Sequence, residues 1–494
     1  MKKCIIIGSG LGGLSCGCIL AKNGYDVTVL EQGRQIGGCL QCFRRKGVLF
    51  DTGMHYIGSM DKGQTLHAIA HYLGIDTDLL LNRLDTEGYD DISIGGEHYH
   101  LANGREKFVD TLAKHFTESR KDIEKYYDLI ERVTSTMSIH TLTRGARIEQ
   151  SVDWQLRSVG SVIGETVNNN LLREVLCGIS PLYAGEQWRT PFTTHALISD
   201  FYRQSAFRIV GGSEKIAQSL RHSIENMGGR VLTNKKVVKI LCDDTKARSV
   251  LCDDGDSFDA DVVISDIHPT ATLGLLDSHL FRPAYRHRIE GLKNTTGAFT
   301  VYLKFKKGRV PYMNHNLFLY QGDSVWNCQQ YDESTWPKFL LYMHFCHKSN
   351  PTFAETAEVI TYMNFNDVRP WLNTKTEHRG QDYEEFKHRK AELIISALEK
   401  ECPNIRGNVE AYYTSTPLTY RDYTGSIDGA MYGVAKDVTA DMAGRISHRT
   451  RVPNLFLTGQ SITSHGMLGV LAGSMVTCSQ LLSLDTIYDQ MEID

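Results

Sequence analysis

The stretch Cys4-Ile5-Ile6-Ile7-Gly8-Ser9-Gly10-Leu11-Gly12-Gly13 decides how the rest of the chain is read. Its first four residues form a short apolar run suited to a strand buried on both faces of a parallel sheet. Gly8 permits the tight turn, Gly10 lets the backbone approach a pyrophosphate without a Cβ in the way, and Gly13 lets the next helix lie close against the strand. That helix, about Gly12 to Asn23, aims its unpaired N–H groups and positive dipole end at the phosphates. Gly24-Tyr25 ends it, and Asp26-Val27-Thr28-Val29-Leu30 makes a second strand tipped by Glu31. A carboxylate about 20 residues beyond the glycines accepts the two ribose hydroxyls and disfavours a 2′-phosphate, so the expected ligand is FAD or NAD.

A lone glycine motif also fits an ordinary strand-to-helix turn; the ordered succession of strand, glycines, helix, strand and acid favours the dinucleotide site. Met1-Lys2-Lys3 before an apolar run imitates a secretory leader. Repeated glycines interrupt that run, and an acid-tipped strand would have no purpose in a removed segment.

At 494 residues the chain has room for two or three domains. Its 41% hydrophobic and 23% charged content is that of a globular protein. A formal net charge of −4, with scattered Lys and Arg, gives no basic field, so no nucleic-acid partner is expected. The 12 cysteines show no paired framework and read as reduced, buried thiols of a cytoplasmic protein. Cys39 and Cys42 have metal or redox spacing, but no second such pair completes a zinc site, and no metal is expected. No apolar run reaches the roughly 20 residues needed to span a bilayer.

The chain lacks repeats and low-complexity tracts. Helices are expected over Gln64 to Gly74, Lys107 to Thr136, Ser158 to Gly178 and Thr193 to Tyr202, with a β-rich patch from Tyr89 to Leu101. Ser213 is placed to cap a helix running to Met227. The strands expected after it, Arg230 to Leu232, Lys236 to Ile240 and Asp261 to Ser265, read as the rest of the sheet begun at residue 4. Strand-like Phe299 to Phe305 and Val359 to Phe365 and a helix from Asp382 to Cys402 are α+β material of a different character. Asn454 to Gln460 is again a strand ending in glycine, and Gly466, Gly469 and Gly473 share one face of an apolar helix to about Leu482. That face suits close packing on a cofactor or backbone; the alternative is a helix lying on a membrane surface. The expectation is an α/β protein. Its Rossmann-type domain for that dinucleotide, FAD or NAD, is assembled from residues 1–75, 206–270 and 446–494, interleaved with an α+β substrate domain whose helical region is 76–205 and whose mixed region is 271–445.

Further segments carry a resemblance over nearly the whole chain: Gly37-Gly38, Phe50-Asp51-Thr52-Gly53-Met54-His55-Tyr56-Ile57-Gly58, Gly211-Gly212, Ser415-Thr416-Pro417-Leu418-Thr419, Gly429-Ala430-Met431-Tyr432-Gly433 and Leu457-Thr458-Gly459-Gln460. With the opening glycines they resemble the FAD-dependent phytoene desaturase, carotenoid isomerase and retinol saturase group of the flavin amine-oxidase-like superfamily. The resemblance implies FAD held by Gly8, Gly10, Leu11, Gly12, Gly13, Glu31, Gln32, Arg34, Gly37, Gly38, Cys39 and His55, by the backbone at Val238, and by Gly459, Gln460, Gly469 and Val470. Cys39 stands where the superfamily usually has an arginine, so that arginine's role is not carried over.

Such a flavin gives or takes a hydride at N5, and the protein must then manage one proton. His55, Tyr56, Tyr420, Tyr423 and His465 lie in or beside the matched segments and are the candidate proton carriers; each could equally line the cavity or contact the cofactor. The resemblance implies a hydrophobic polyene or lipid substrate, with saturation, desaturation and redox-neutral isomerisation all open. No second glycine turn marks an NADPH domain. NAD(P)H visiting the cavity, a separate redox donor protein and the substrate itself remain as electron sources. An amine oxidase and a non-enzymatic prenyl or lipid carrier are the alternatives, and peripheral contact with a membrane surface stays open.

Overall fold

A computed structural model of the chain describes residues 1–137, 142, 148–276, 280–439 and 446–491. Five parallel strands, Arg230–Leu232, Asp26–Leu30, Lys3–Ile7, Val262–Ser265 and Leu455–Leu457, lie side by side in that order. Alternation along the central strand explains the layering. Cys4 and Ile6 point into one core with the helices Leu11–Lys22, Glu214–Asn226 and Gly466–Ser479, while Ile5 and Ile7 point into another. Burying each such isoleucine contributes about 1.5–3 kcal/mol, which holds helices from distant parts of the chain on one sheet.

The second core corrects one expectation. The strand foreseen at Lys236 to Ile240 does not join the parallel sheet; it runs over Val237–Cys242 and pairs antiparallel with Ala247–Cys252, which pairs with Ser257–Asp259. This small sheet covers the open face of the large one through Val237, Ile240 and Val250. Along Val237–Cys242 only Val237 and Ile240 are buried, with a register shift between Val237 and Lys239, whereas Val262–Ser265 is buried throughout.

The other half is a seven-stranded mixed sheet in the order Val409–Ser415, Gly297–Phe305, Thr356–Met363, Phe339–His344, Asn316–Tyr320, Asp90–Ile94, Glu97–Leu101. The only parallel pair in it joins Asn316–Tyr320 to Asp90–Ile94. Along Thr356–Met363, Ile360 and Tyr362 pack with the helical region, and Ala357, Val359 and Met363 with the helix Gln381–Glu401. Both faces are therefore covered.

Two long helices foreseen in the sequence are each divided. Lys107 to Thr136 separates into Arg105–Ala113 and Arg120–Ser135. Ser158 to Gly178 separates into Val159–Thr166 and Asn170–Leu176, because Asn169 starts a new helix by accepting a hydrogen bond from Leu172 N at 3.0 Å. Ser213 makes no cap: its hydroxyl donates to Leu40 O at 3.1 Å and to Asp51 instead. Among the described residues no helix is long and apolar enough to cross a membrane.

Candidate active site

The parallel sheet reverses its direction of growth between Lys3–Ile7 and Val262–Ser265, and the crevice beyond their carboxyl ends is the expected place for a ligand. Gly8 turns the chain there with φ +96°. A Cβ at Gly10 would sit 2.6 Å from Asp266 Oδ2, and one at Gly12 would overlap Asp266 and stand 3.0 Å from Gly459 N. One at Gly13 would overlap the carbonyl of Gly8. Only glycine leaves this cradle open. Glu31 stands at one end of it. Its Oε2 accepts from Ser9 N at 3.1 Å and Ser9 Oγ at 2.5 Å, and its Oε1 from Gly33 N at 2.7 Å, which fixes the carboxylate beside the cavity.

The cavity is one continuous space of about 290 Å³ that opens to solvent. It runs from Glu31 and Gln32 past Gly8, Ser9, Gly10, Leu11 and Gly12, then past Gly37, Gly38 and Cys39, to Gly459, Gln460, Met467 and Val470. Beyond these, Pro181, Leu182, Phe339, Leu341, Ile360, Met431 and Tyr432 make an apolar end. The long glycine-floored groove, the acid at one end and the apolar chamber at the other fit an extended dinucleotide whose reactive ring lies at the chamber.

Asp266 is the functional residue that sequence reading overlooked at the cradle. Its Oδ2 is buried without a hydrogen-bond partner. Burial pushes its pKa up to about 7, with the nearby Glu31 charge acting in the same direction and the Gly13 and Gly10 backbones against it. The signal was an acid directly after the apolar strand Val262–Ser265. Glu358, also overlooked, is a lone carboxylate inside the otherwise uncharged strand Thr356–Met363.

His55 lines the chamber, and its Nδ1 lies 2.8 Å from Glu358 Oε2. Burial opposes the imidazolium, but the Glu358 carboxylate outweighs it with help from Asp51 and against Arg208, so the pKa stands above the ordinary 6.5. Tyr420 also lines the cavity; its hydroxyl donates to Thr52 O at 3.2 Å, and burial raises its pKa, so it keeps its proton at neutral pH. Tyr423 stands at the mouth, 54% exposed.

Several nominated residues lie elsewhere. Tyr56 does not line the cavity. Its ring stacks on Tyr202 and its hydroxyl donates to Asp90 Oδ2 at 3.1 Å, which holds it in the core away from the cavity. His465 lies behind Tyr432 in a separate small pocket, where burial lowers its pKa to about 4, so it is a neutral ring. Val238 turns its side chain outward, 41% exposed, and its neighbour Val237 lines the cavity, so any contact from Val238 would come from its backbone, as the resemblance implies. Arg34 is exposed off the cavity. Gly13 and Gly469 serve packing and do not line the space; a Cβ at Gly469 would meet Ser464 at 2.7 Å. Cys39 and Cys42 are free thiols, Cys42 donating to Asp51 Oδ1 at 2.9 Å. Among the described residues no cluster suited to a metal ion occurs.

The glycine-floored cradle, the buried acid beside it and the apolar chamber fit an FAD-dependent oxidoreductase. Residues 11–381 match the flavin containing amine oxidoreductases, and the chain belongs to that family. It is 27% identical to an all-trans-retinol 13,14-reductase of Danio rerio, over 97% of this chain and 85% of the relative. It is 24% identical to a chloroplastic prolycopene isomerase 2 of an Oncidium hybrid cultivar, over 98% and 84%. An oxidoreductase of known structure from Methanosarcina mazei shares the fold with a TM-score of 0.65 at 17% identity, covering 97% of this chain and 100% of that one.

Proposed function

We propose that the protein reduces a carbon–carbon double bond of an apolar polyene or lipid. The observation that carries this reading is the chamber at the end of the glycine cradle, where Leu182, Phe339, Leu341, Ile360 and Met431 face the same space as His55. FAD, when bound, supplies two-electron chemistry at N5. The chain's own contribution is to hold the cofactor with Gly8, Gly10, Gly12, Glu31 and Gly459, to exclude water with the apolar wall, and to bring one proton carrier, His55, to the carbon that does not receive hydride. The relatives named for retinol reduction and prolycopene isomerisation support a polyene substrate. An amine oxidase reading is disfavoured by the lysines: those lining the cavity, Lys235 and Lys236, follow the strand Arg230–Leu232 at the Glu31 end. Lys436 lies in the small pocket behind Tyr432, where its Nζ donates to Ser461 O at 2.8 Å.

Anaerobic photoreduction of the purified protein, followed by incubation with retinoids, carotenoids and unsaturated lipids, tests the reading. A product heavier by about two mass units, one hydride plus one proton, is expected. An unchanged mass with a shifted spectrum replaces reduction by isomerisation, and no product from any polyene removes the reading. The electron donor is proposed to be NAD(P)H reaching the open mouth beside Tyr423. Rapid anaerobic bleaching of the flavin's visible absorbance supports that donor, and persistence of the colour points to a donor protein.

A further inference from the structure

Glu358 lies on the middle strand Thr356–Met363, 2% exposed, opposite Tyr302 on one neighbouring strand and Met343 on the other. Its Oε2 lies 2.8 Å from His55 Nδ1 in an ion-pair contact, and both carboxylate oxygens are buried without an aligned hydrogen-bond partner. Among the described residues no lysine or arginine forms an ion pair with it. A carboxylate withdrawn from water in this way demands a compensating charge or a proton, and His55 is the group in reach. Two other charged groups face the ring. Asp51, from the strand Val48–Asp51, has its Oδ1 occupied by Ser213 N at 2.9 Å and by Cys42, which leaves Glu358 as the carboxylate in contact with the imidazole. Arg208, from the strand Ala206–Ile209, donates to His55 O at 3.4 Å and to Asn316 Oδ1 at 2.7 Å, so it is tied to backbone and amide.

We propose that Glu358 is a positioning residue that holds His55 as an imidazolium, with Nδ1–H on the carboxylate and Nε2–H turned to the chamber. This deepens the function proposed above and rests on it for the identity of the proton acceptor. In the step, the Nε2–H bond breaks and a C–H bond forms at one carbon of the double bond, using the π electron pair. The other carbon receives hydride from the flavin, previously reduced by a two-electron donor of the reduced-nicotinamide class. His55 is left as the neutral Nδ1–H tautomer, still oriented by Glu358, and regains its proton from solvent. The rise of the His55 pKa above 6.5 agrees with this charge state.

The test is nitrogen NMR of histidine-labelled holoenzyme across pH, with His55→Gln used to assign the ring signal. Wild-type His55 is expected to titrate above 6.5 with Nδ1 retaining its proton in the neutral form. Glu358→Gln is expected to lower the titration by about one pH unit or more, a tenfold loss of imidazolium at a given pH, and Glu358→Asp to restore part of it. A wild-type His55 that is already neutral at pH 6, or one whose titration is the same in Glu358→Gln, overturns the proposal. The wild-type titration decides the matter even where the variant does not fold. With all-trans-retinol as the probe substrate and photoreduced holoenzyme, the alkaline limb of kcat should move down in Glu358→Gln by the same amount. Failure to turn over any polyene, with the His55 titration as expected, counts against the substrate reading alone.

Discussion

The two ends of the cavity are built by opposite means. The cradle end is backbone: glycines at 8, 10, 12 and 459 bring main chain close, and the side chain that matters most, Glu31, is itself held by Gly33, 2 residues on, and Ser9, 22 residues back in the same βαβ unit. The chamber end is side chain: His55 from a loop, Glu358 from a strand some 300 residues later and Phe339 from the strand beside it meet only because the seven-stranded sheet gathers them. Backbone recognition tolerates almost no added atoms, whereas the chamber depends on charge and polarity. The two ends should therefore fail differently when altered.

The largest effect is expected at the cradle. Gly13→Val must push against the Gly8 carbonyl, an overlap in main chain that no rotamer relieves, and it should abolish FAD retention, read as colourless protein with a lowered Tm. Retention of full flavin content would show that the helix Leu11–Lys22 can slide. At the chamber, His55→Ala should leave FAD bound and slow polyene reduction by about a hundredfold or more, read in single turnovers of photoreduced protein. If instead flavin is lost, the ends are not separable in this way.

Asp266 sharpens the comparison because it brings titration to the backbone end. Its raised pKa, about 7 against 3.8, means that the folded chain without cofactor binds more protons than the unfolded chain between about pH 4 and 7. This group's contribution to stability is thus most favourable below about pH 4 and declines as pH rises to 7. An ionised Asp266 also faces the phosphates, so FAD affinity should weaken by up to about tenfold per pH unit above 7. Asp266→Asn should flatten that dependence, measured by fluorescence titration of cofactor-free protein with FAD. A slope unchanged in the variant would assign it to another group. The smallest effect is expected at Val238→Ala, which lies outside the cavity and should change FAD affinity by less than about 0.5 kcal/mol. A larger loss would show that the side chain, and not the backbone alone, takes part in holding the cofactor.

How much was legible follows the same division. The βαβ unit could be read because its glycines, strand and acid act over a few tens of residues, within which chain geometry leaves little choice. Tyr56 was misplaced beside His55 because its partners, Tyr202 and Asp90, come from distant segments that a local motif does not reveal. At Val238 the resemblance pointed to a backbone contact, which the outward side chain leaves untouched, while Val237 turns its side chain to the cavity. His465 sits next to a matched helix start, yet the neutral ring it became is a consequence of burial.

By itself, the sequence determined the parallel nucleotide sheet, the cradle and the flavin class, since these rest on local backbone conformations that glycine alone allows and on an acid at a set distance. Tertiary structure alone decided that Glu358 meets His55, that Asp266 enters the cradle, and that Tyr56 leaves the site. Each of these is a contact or burial between distant segments, and the free energy of a buried charge depends on what the fold packs around it.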